Sequence, residues 1–302
     1  MNRFITKRQL RLLANAVAVA LTGALAIAAT PASAAKVEGV HMVVTQSPSN
    51  SQQVKLAPPA YCPPNERVIG GGGAVVSGSL KPTLTGLRPV RLYDGTRDAY
   101  VVTAAETAPG TTANWQVNAY AMCAKPLPGL HIVQSPPIPA SSTAAQATAA
   151  VCPGGERVIG TGARISTISG DVVLHVARSS GPGDIARAQA HEDADGYSGT
   201  WSVTAYAVCA PPPDGYEVVF DPSPLRDSEP IKVAGALRQE GCTGGRQLLS
   251  SGAAITNVAP GNVSLYVILP WVDFQQTYAV AVEHTPTSVD WDFIVATSIC
   301  AS

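Results

Sequence analysis

The most regular hydrophobic pattern in the chain is a strict alternation over "WQVNAYAMCA", which begins at Trp115 and contains Cys123. In an extended strand alternate residues point to the same face, so the Trp, Val, Ala, Ala and Cys of this segment share one apolar face. The other face is mixed and is expected to be half exposed. "WSVTAYAVCA" from Trp201 repeats the pattern, and "WDFIVATSICA" from Trp291 ends the chain in a similar way.

These segments belong to an internal repeat. Cys62 and Cys152 are separated by 152 − 62 = 90 residues, and Cys152 and Cys242 by 242 − 152 = 90. Each copy contains an opening strand that ends in a proline turn, a Cys followed by a turn and a strand, an apolar strand, a strand that ends in Glu, and the Trp-to-Cys strand. The apolar strands are identified as "VRLYDG", "VVLHVA" and "SLYVIL", and the strand-ending acids are Glu106, Glu192 and Glu283.

About six short strand-like runs per copy, separated by turn signals, predict an all-β fold. We expect three tandem, disulfide-stapled antiparallel repeats of β-sandwich or barrel-like form. The predicted organisation is a signal peptide over 1–35 and β repeats over 36–126, 127–212 and 213–302. Two arrangements stay open, separate modules in close contact or one pseudo-threefold body with exchanged strands. The short linkers and the opening strand that closely follows the previous Cys are compatible with some exchange, and separate modules in close contact are preferred.

The even number of cysteines predicts disulfides in an oxidising compartment. Their spacing fits neither a zinc site nor a C-x-x-C redox motif. The repeat singles out one of the possible pairings, because each copy then closes on itself. The predicted pairs are Cys62 with Cys123, Cys152 with Cys209, and Cys242 with Cys300. The repeat tryptophans Trp115, Trp201 and Trp291 are expected to anchor the core beside these bridges.

Two irregularities predict β-bulges. The interval from Trp to Cys is one residue longer in the third copy, and since side chains alternate, a bulge between Trp291 and Cys300 is needed to keep Cys300 on the core face. The run Gly70–Gly73 stands where the second copy has "GTG", which predicts a bulge or a close backbone contact. No helix or Lys-Ser/Thr follows it, so a phosphate loop is excluded.

The first residues carry an export signal, with a basic start, an apolar run over 12–29 and small residues that predict cleavage after Ala34 or Ala35. The chain has 20 basic and 21 acidic residues, and four of the basic ones lie in this signal, which leaves 16 − 21 = −5 for the remainder. Such a charge argues against nucleic acid as a partner. No other segment is long and apolar enough to span a membrane. The sequence therefore predicts a secreted protein, and it leaves the oligomeric state open.

The phrases "CPGGERVIGTGA" and "WSVTAYAVCA" resemble a Cys-pair repeat of secreted actinobacterial proteins that are mostly uncharacterised. The resemblance covers nearly all of the chain after the signal. It implies export and a disulfide-bonded β unit, and it implies no activity.

Candidate chemistry is sparse, and no cofactor or catalytic motif is found. Asp193 and Asp195 in "HEDADG" are weak candidates for a metal site and are read as an acidic hairpin tip, since Ca²⁺ needs six or more oxygen ligands. The three repeated glutamates could converge on a ligand, although solvent-facing or turn-capping roles are more usual. Trp271 lacks a counterpart in the other copies and is the best candidate for an exposed ligand contact.

The leading hypothesis is a non-catalytic binding protein of the cell surface or extracellular space, with a cell-envelope glycan or a protein as its ligand. The alternative is a structural or assembly component of the cell surface, held by pairing of edge strands. An enzyme comes third, and turnover that is abolished by changing Glu192 or His191 would reveal it.

Overall fold

The computed structural model describes residues 34–92, 97–223, 230–234, 241–256, 261–286, 291 and 294–302. The predicted export signal falls mainly on residues 1–33, which lie outside this part. The described residues belong to one unit, Ala34–Ser302. They are almost entirely β-strands and connecting turns, as predicted, and none of their helical segments has the length and apolar character needed to cross a membrane.

The strands of the three repeats follow one another in a common order. In the first repeat they are β1 (His41–Gln46), β2 (Val54–Leu56), β3 (Ala60–Tyr61), β4 (Arg67–Ser77), β5 (Pro82–Arg91), β6 (Asp98–Glu106) and β7 (Trp115–Ala124). In the second they are β8 (His131–Gln134), β9 (Ala145–Val151), β10 (Arg157–Ile165), β11 (Val172–Ser179), β12 (Ile185–Glu192) and β13 (Val203–Ala210). In the third they are β14 (Glu217–Pro222), β15 (Ile231–Ala234), β16 (Gln247–Ile255), β17 (Val263–Trp271), β18 (Gln276–Glu283) and β19 (Ile294–Ala301), with a 3₁₀ turn at Val272–Phe274.

Each of the three antiparallel sheets joins strands of two repeats. The first sheet has the order β1-β7-β4-β17-β18-β15, the second β2-β6-β5-β10-β13-β8, and the third β14-β19-β16-β11-β12-β9. The seams are short pairings of β4 with β17, β5 with β10 and β11 with β16. The preference for three separate modules is therefore wrong, because every sheet formed by the described residues combines strands of two repeats. The repeats are linked first to second, second to third and third to first.

The strands that follow the first Cys of each repeat meet in the interior, and this explains their glycines. A Cβ atom at Gly160 of β10 would overlap the carbonyl oxygen of Ile69 in β4 and lie 2.7 Å from the Cα atom of Gly70. A Cβ atom at Gly70 would collide with the side chain of Ser250 in β16. The register of β4 shifts between Val68 and Gly70, so the predicted bulge and the predicted close contact are both present.

The Trp-to-Cys strands form the core as predicted. Trp115, Trp201 and Trp291 are at most 1% exposed, and all three predicted disulfides are present, Cys62–Cys123, Cys152–Cys209 and Cys242–Cys300. The opposite face of β7 is more buried than expected, since Met122 is fully buried and Tyr120 is 9% exposed.

Two details of the sequence interpretation change. The apolar strand of the first repeat is β5, and "VRLYDG" from Val90 only begins at its end, because the bulge after Leu84 matches those after Leu174 and Leu265. The extra residue of the third repeat falls between Trp291 and Ile294, since the distance from Ile294 to Cys300 along the chain equals that from Val203 to Cys209. The predicted bulge thus concerns residues 292 and 293, which lie outside the described part.

The segment before β1 links the first repeat to the third. The backbone N–H of Val37 donates a hydrogen bond to the carbonyl of Ser302 at 2.8 Å, and that of Asp214 donates to Ala35 at 3.1 Å. Val37 is fully buried. The residues that directly follow the predicted cleavage sites are therefore part of the fold.

Candidate functional site

Two of the repeated glutamates accept hydrogen bonds from repeated tryptophans. The indole Nε1 of Trp115 donates a hydrogen bond to Oε1 of Glu106 at 2.6 Å, and that of Trp201 donates to Oε1 of Glu192 at 3.0 Å. Glu283 and Trp291 occupy the same positions in the third repeat. A buried indole N–H needs an acceptor, so the carboxylates of Glu106 and Glu192 each have a structural task within their own repeat.

A third side chain completes this arrangement. The ammonium of Lys55 lies 4.8 Å from the ring centroid of Trp115, and that of Lys232 lies 4.5 Å from the ring centroid of Trp291. Both lysines are 4% exposed. Gln146 replaces them in the second repeat and donates to the carbonyl of Trp201 at 2.6 Å. Glu106, Glu192 and Glu283 end strands of three different sheets, and the feature that Glu106 and Glu192 share is this local contact with Trp.

Trp271 belongs to an aromatic cluster that was only partly foreseen from the sequence. Its ring centroid lies 4.3 Å from that of Phe274 and 5.8 Å from that of Tyr278, both in edge-to-face geometry. Phe274 is 59% exposed, and Trp271 and Tyr278 are partly exposed. Trp271 ends β17, Tyr278 lies on the neighbouring strand β18, and Phe274 is contributed by the connecting 3₁₀ turn.

Backbone and amide hydrogen bonds hold this turn in place. Gln275 adopts φ = 52°, a left-handed conformation that is uncommon for a residue other than glycine. Its amide Nε2 donates to the carbonyl of Val272 at 2.6 Å, and its Oε1 accepts from the backbone N–H of Leu248 at 2.6 Å. Its carbonyl accepts from Cys242 at 2.7 Å. The aromatic cluster is therefore presented by a turn that is tied to the disulfide-bonded region of its repeat.

The acidic tip "HEDADG" forms a turn. The backbone N–H groups of Asp195 and Gly196 donate to the side chain and the carbonyl of Asp193, at 3.2 and 3.1 Å, and the N–H of Asp193 donates to Asp171 at 2.8 Å. Burial, together with the charge of Asp171, raises the pKa of Asp193 to about 6. In the described part of the chain, no close group of three potential metal ligands includes Asp193 or Asp195.

Two groups of His, Glu and Cys atoms do lie within 4.8 Å of one another, His41 with Glu66 and Cys123, and His131 with Glu156 and Cys209. Both cysteines are in disulfides, so neither supplies a thiolate. The third repeat places an ion pair of reversed polarity, Glu217 with Arg246 at 2.5 Å, at the equivalent positions. These are polar contacts between the opening strand and the turn after the first Cys.

Sequence reasoning missed a buried group of histidines. The rings of His175 and His191 stack with centroids 4.1 Å apart, and His284 also acts electrostatically on His175. His175 and His284 are 1% and 2% exposed, and the ring nitrogens of His284 have no hydrogen-bond partner. Burial, with His191 next, lowers the pKa of His175 well below its ordinary value. Burial and the nearby charge of Lys81 lower that of His284 to about 4.

We expect acid to destabilise the protein through these histidines. Below pH 6.5 the unfolded chain takes up protons at His175 and His284 that the folded protein excludes, so the free energy of unfolding falls as the pH falls. Asp193 acts in the opposite direction, because the folded protein takes up a proton at Asp193 near pH 6, before the unfolded chain does. Its effect on the free energy of unfolding offsets that of one histidine. These three groups leave a net loss of roughly 1.4 kcal/mol per pH unit between pH 6 and 4, and His191, whose pKa is also lowered by burial, adds to the loss. Urea denaturation at pH 7.5, 6.0 and 5.0 measures it.

The repeats supply the control for this experiment. Thr85 and Thr107 of the first repeat stand where the second and third repeats have His175 and His284. The double variant His175→Thr/His284→Thr should lose stability at pH 7.5 and show a smaller dependence on pH. An unchanged pH dependence would contradict the role of these histidines.

A scan against protein-family models finds no match to this chain, and a search of curated proteins finds no significant relative.

Proposed function

We propose that the chain is a secreted, non-catalytic binding protein whose ligand is a cell-envelope glycan. The observation that carries this proposal is the aromatic cluster Trp271, Phe274 and Tyr278. Exposed aromatic side chains that are grouped on one surface mark ligand contacts more often than scattered apolar residues do. The three disulfides fit an extracellular location.

The chemistry of the cluster suits a sugar. A pyranose offers an apolar C–H face and a rim of hydroxyl groups, and an aromatic ring with polar neighbours complements both. Asp273 is exposed within the same turn, between Trp271 and Phe274, and supplies a hydrogen-bond acceptor. The equivalent positions to Trp271 are Val90 and Ser180, so the repeat scaffold does not itself require a tryptophan here.

Trp271→Val is expected to weaken retention of the oxidised protein on isolated bacterial cell walls, chitin or cellulose. The substitution introduces the side chain of the equivalent Val90 and should leave the fold intact. We expect a loss in affinity of roughly tenfold, which corresponds to about 1.4 kcal/mol. The measurement is a pull-down with increasing amounts of matrix, with a soluble glycan as competitor and a reduced sample beside it.

Ile168→Ala is the matched control, because Ile168 is 55% exposed and lies in the second repeat. Its retention should equal that of the unaltered protein. If Trp271→Val and Ile168→Ala bind alike, or if no matrix retains the protein, the glycan proposal fails.

One observation favours a second function, assembly through edge strands. Large apolar side chains are exposed on strands that form sheet edges: Val44 in β1, Val54 and Leu56 in β2, Val151 in β9 and Ile231 in β15. Apolar edge strands are templates for pairing with another chain. Sedimentation velocity over a hundredfold range of concentration would reveal the self-association that this function requires.

A further inference from the structure

The outer face of the third sheet carries a groove of about 500 Å³ that contains two arginines, Arg178 and Arg187. They lie directly opposite one another on β11 and β12. Val176, Ala254 and the amide-bearing Gln189 line the same groove. It therefore combines two positive charges, one amide and an apolar wall.

Nothing in the described part of the chain neutralises this pair. No ion pair formed by the described residues includes Arg178 or Arg187. Like charges that face each other across a strand pair destabilise a sheet. Burial, followed by the charge of Arg187, lowers the pKa of Arg178, although a guanidinium stays protonated near neutral pH. The fold therefore tolerates an unfavourable charge arrangement at this position.

Arg178 is held in place while most of its donors remain unused. Its guanidinium lies 5.2 Å from the ring centroid of Phe220, and its Nη1 donates to the carbonyl of Ser179 at 3.3 Å. Its Nε is buried and has no hydrogen-bond partner. Gly252 on the neighbouring strand gives it room, since a Cβ atom there would lie 2.8 Å from the Cα atom of Arg178.

Comparison with the other sheets shows that the second arginine is not a requirement of the scaffold. In the second sheet Arg88 packs over Tyr206, with 5.5 Å from its guanidinium to the ring centroid, and Val101 faces it from the paired strand. In the first sheet the equivalent pair is Leu269 with Tyr278. The arginine pair is thus a departure of one sheet from a shared design.

We propose that the Arg178–Arg187 groove binds the phosphate group of a small organic phosphate. A phosphate monoester carries about −1.5 to −2 charges at neutral pH, which matches two guanidinium groups. Planar guanidinium groups donate paired hydrogen bonds to such oxyanions. The volume of the groove exceeds that of a lone phosphate, and Val176 and Ala254 offer apolar contacts to the organic part of the ligand. This site lies on a different sheet from the aromatic cluster.

The test is calorimetric titration of the oxidised protein with phenyl phosphate, inorganic phosphate and benzoate at two salt concentrations. We expect saturable binding of phenyl phosphate that weakens with salt. Equally strong binding of inorganic phosphate would support the phosphate site and identify the free ion as sufficient. Absence of phenyl phosphate binding at millimolar concentration, or benzoate binding of equal strength, would overturn the proposal.

Arg187→Val introduces the side chain that the second sheet has at the equivalent position, Val101. We expect this variant to bind phenyl phosphate at least tenfold more weakly. Since it removes a like-charge contact, its melting temperature should equal or exceed that of the unaltered protein, so loss of binding is not loss of folding. Arg157→Gln is the matched control, because the third repeat has Gln247 at this position. If Arg187→Val binds as well as Arg157→Gln, the arginine pair is not the site.

Discussion

Gly160→Val is expected to destabilise the protein by about 3 kcal/mol or more, at the upper end of what overpacking costs in a core. The added atoms would overlap the carbonyl of Ile69 and crowd the Cα atom of Gly70. Both are backbone atoms of β4, so no side-chain rotation relieves the contact. Because β10 and β4 belong to different sheets and different repeats, the displacement would spread to two sheets. Urea denaturation followed by tryptophan fluorescence measures the loss.

Gly181→Val serves as the control for this substitution. Nothing lies within 4 Å of a Cβ atom at Gly181, so the same side chain meets open space there. Its denaturation midpoint should lie close to that of the unaltered protein. Equal midpoints for Gly160→Val and Gly181→Val would show that the interior contact between β10 and β4 is not as close as described.

Removing the disulfide of the second repeat, with Cys152→Ala/Cys209→Ala, should cost about 4 kcal/mol on the chain-entropy model. The bridge spans 57 residues, and its loss lets the unfolded chain explore many more conformations. Since the second repeat supplies strands to two sheets, we expect the whole protein to unfold in one transition at a lower temperature. Differential scanning calorimetry distinguishes this from separate melting of one repeat.

Cys242→Ala/Cys300→Ala provides the comparison, because its bridge spans 58 residues and should have nearly the same effect. Two resolved transitions in either variant would contradict the cooperative unfolding that shared sheets imply.

The sequence predicted what depends on local alternation and on the repeat. The faces of β7 and β13 follow from their period of two, and the disulfide pairs follow from the position of each Cys within its copy. The strand β5 was misplaced because "PTLTGLRPVR" contains two prolines and a glycine and does not alternate clearly. Local patterns could not reveal the seams either, since β4 and β17 pair across almost 200 residues of chain.

In the candidate sites too, the sequence predicted the features that depend on the repeat and missed those that depend on how strands are aligned. Trp271 was recognisable because it breaks the repeat, whereas its partners Phe274 and Tyr278 emerged only from the turn that follows β17. The recurrence of Glu106 and Glu192 was visible, but their bond to an indole depends on how neighbouring strands are aligned. Arg178 and Arg187 belong to two strands of ordinary composition, and only the register of β11 against β12 places them opposite one another.

The sharing of every sheet between two repeats has an evolutionary consequence. A single repeat leaves three-stranded half-sheets unpaired, so an ancestral one-repeat protein with this architecture would have needed three identical copies, in which each mutation alters all three surfaces. Joining the copies in one chain removes that constraint. One sheet can then gain an arginine pair and another an aromatic cluster, while β4, β10 and β16 keep their mutual contacts in the interior.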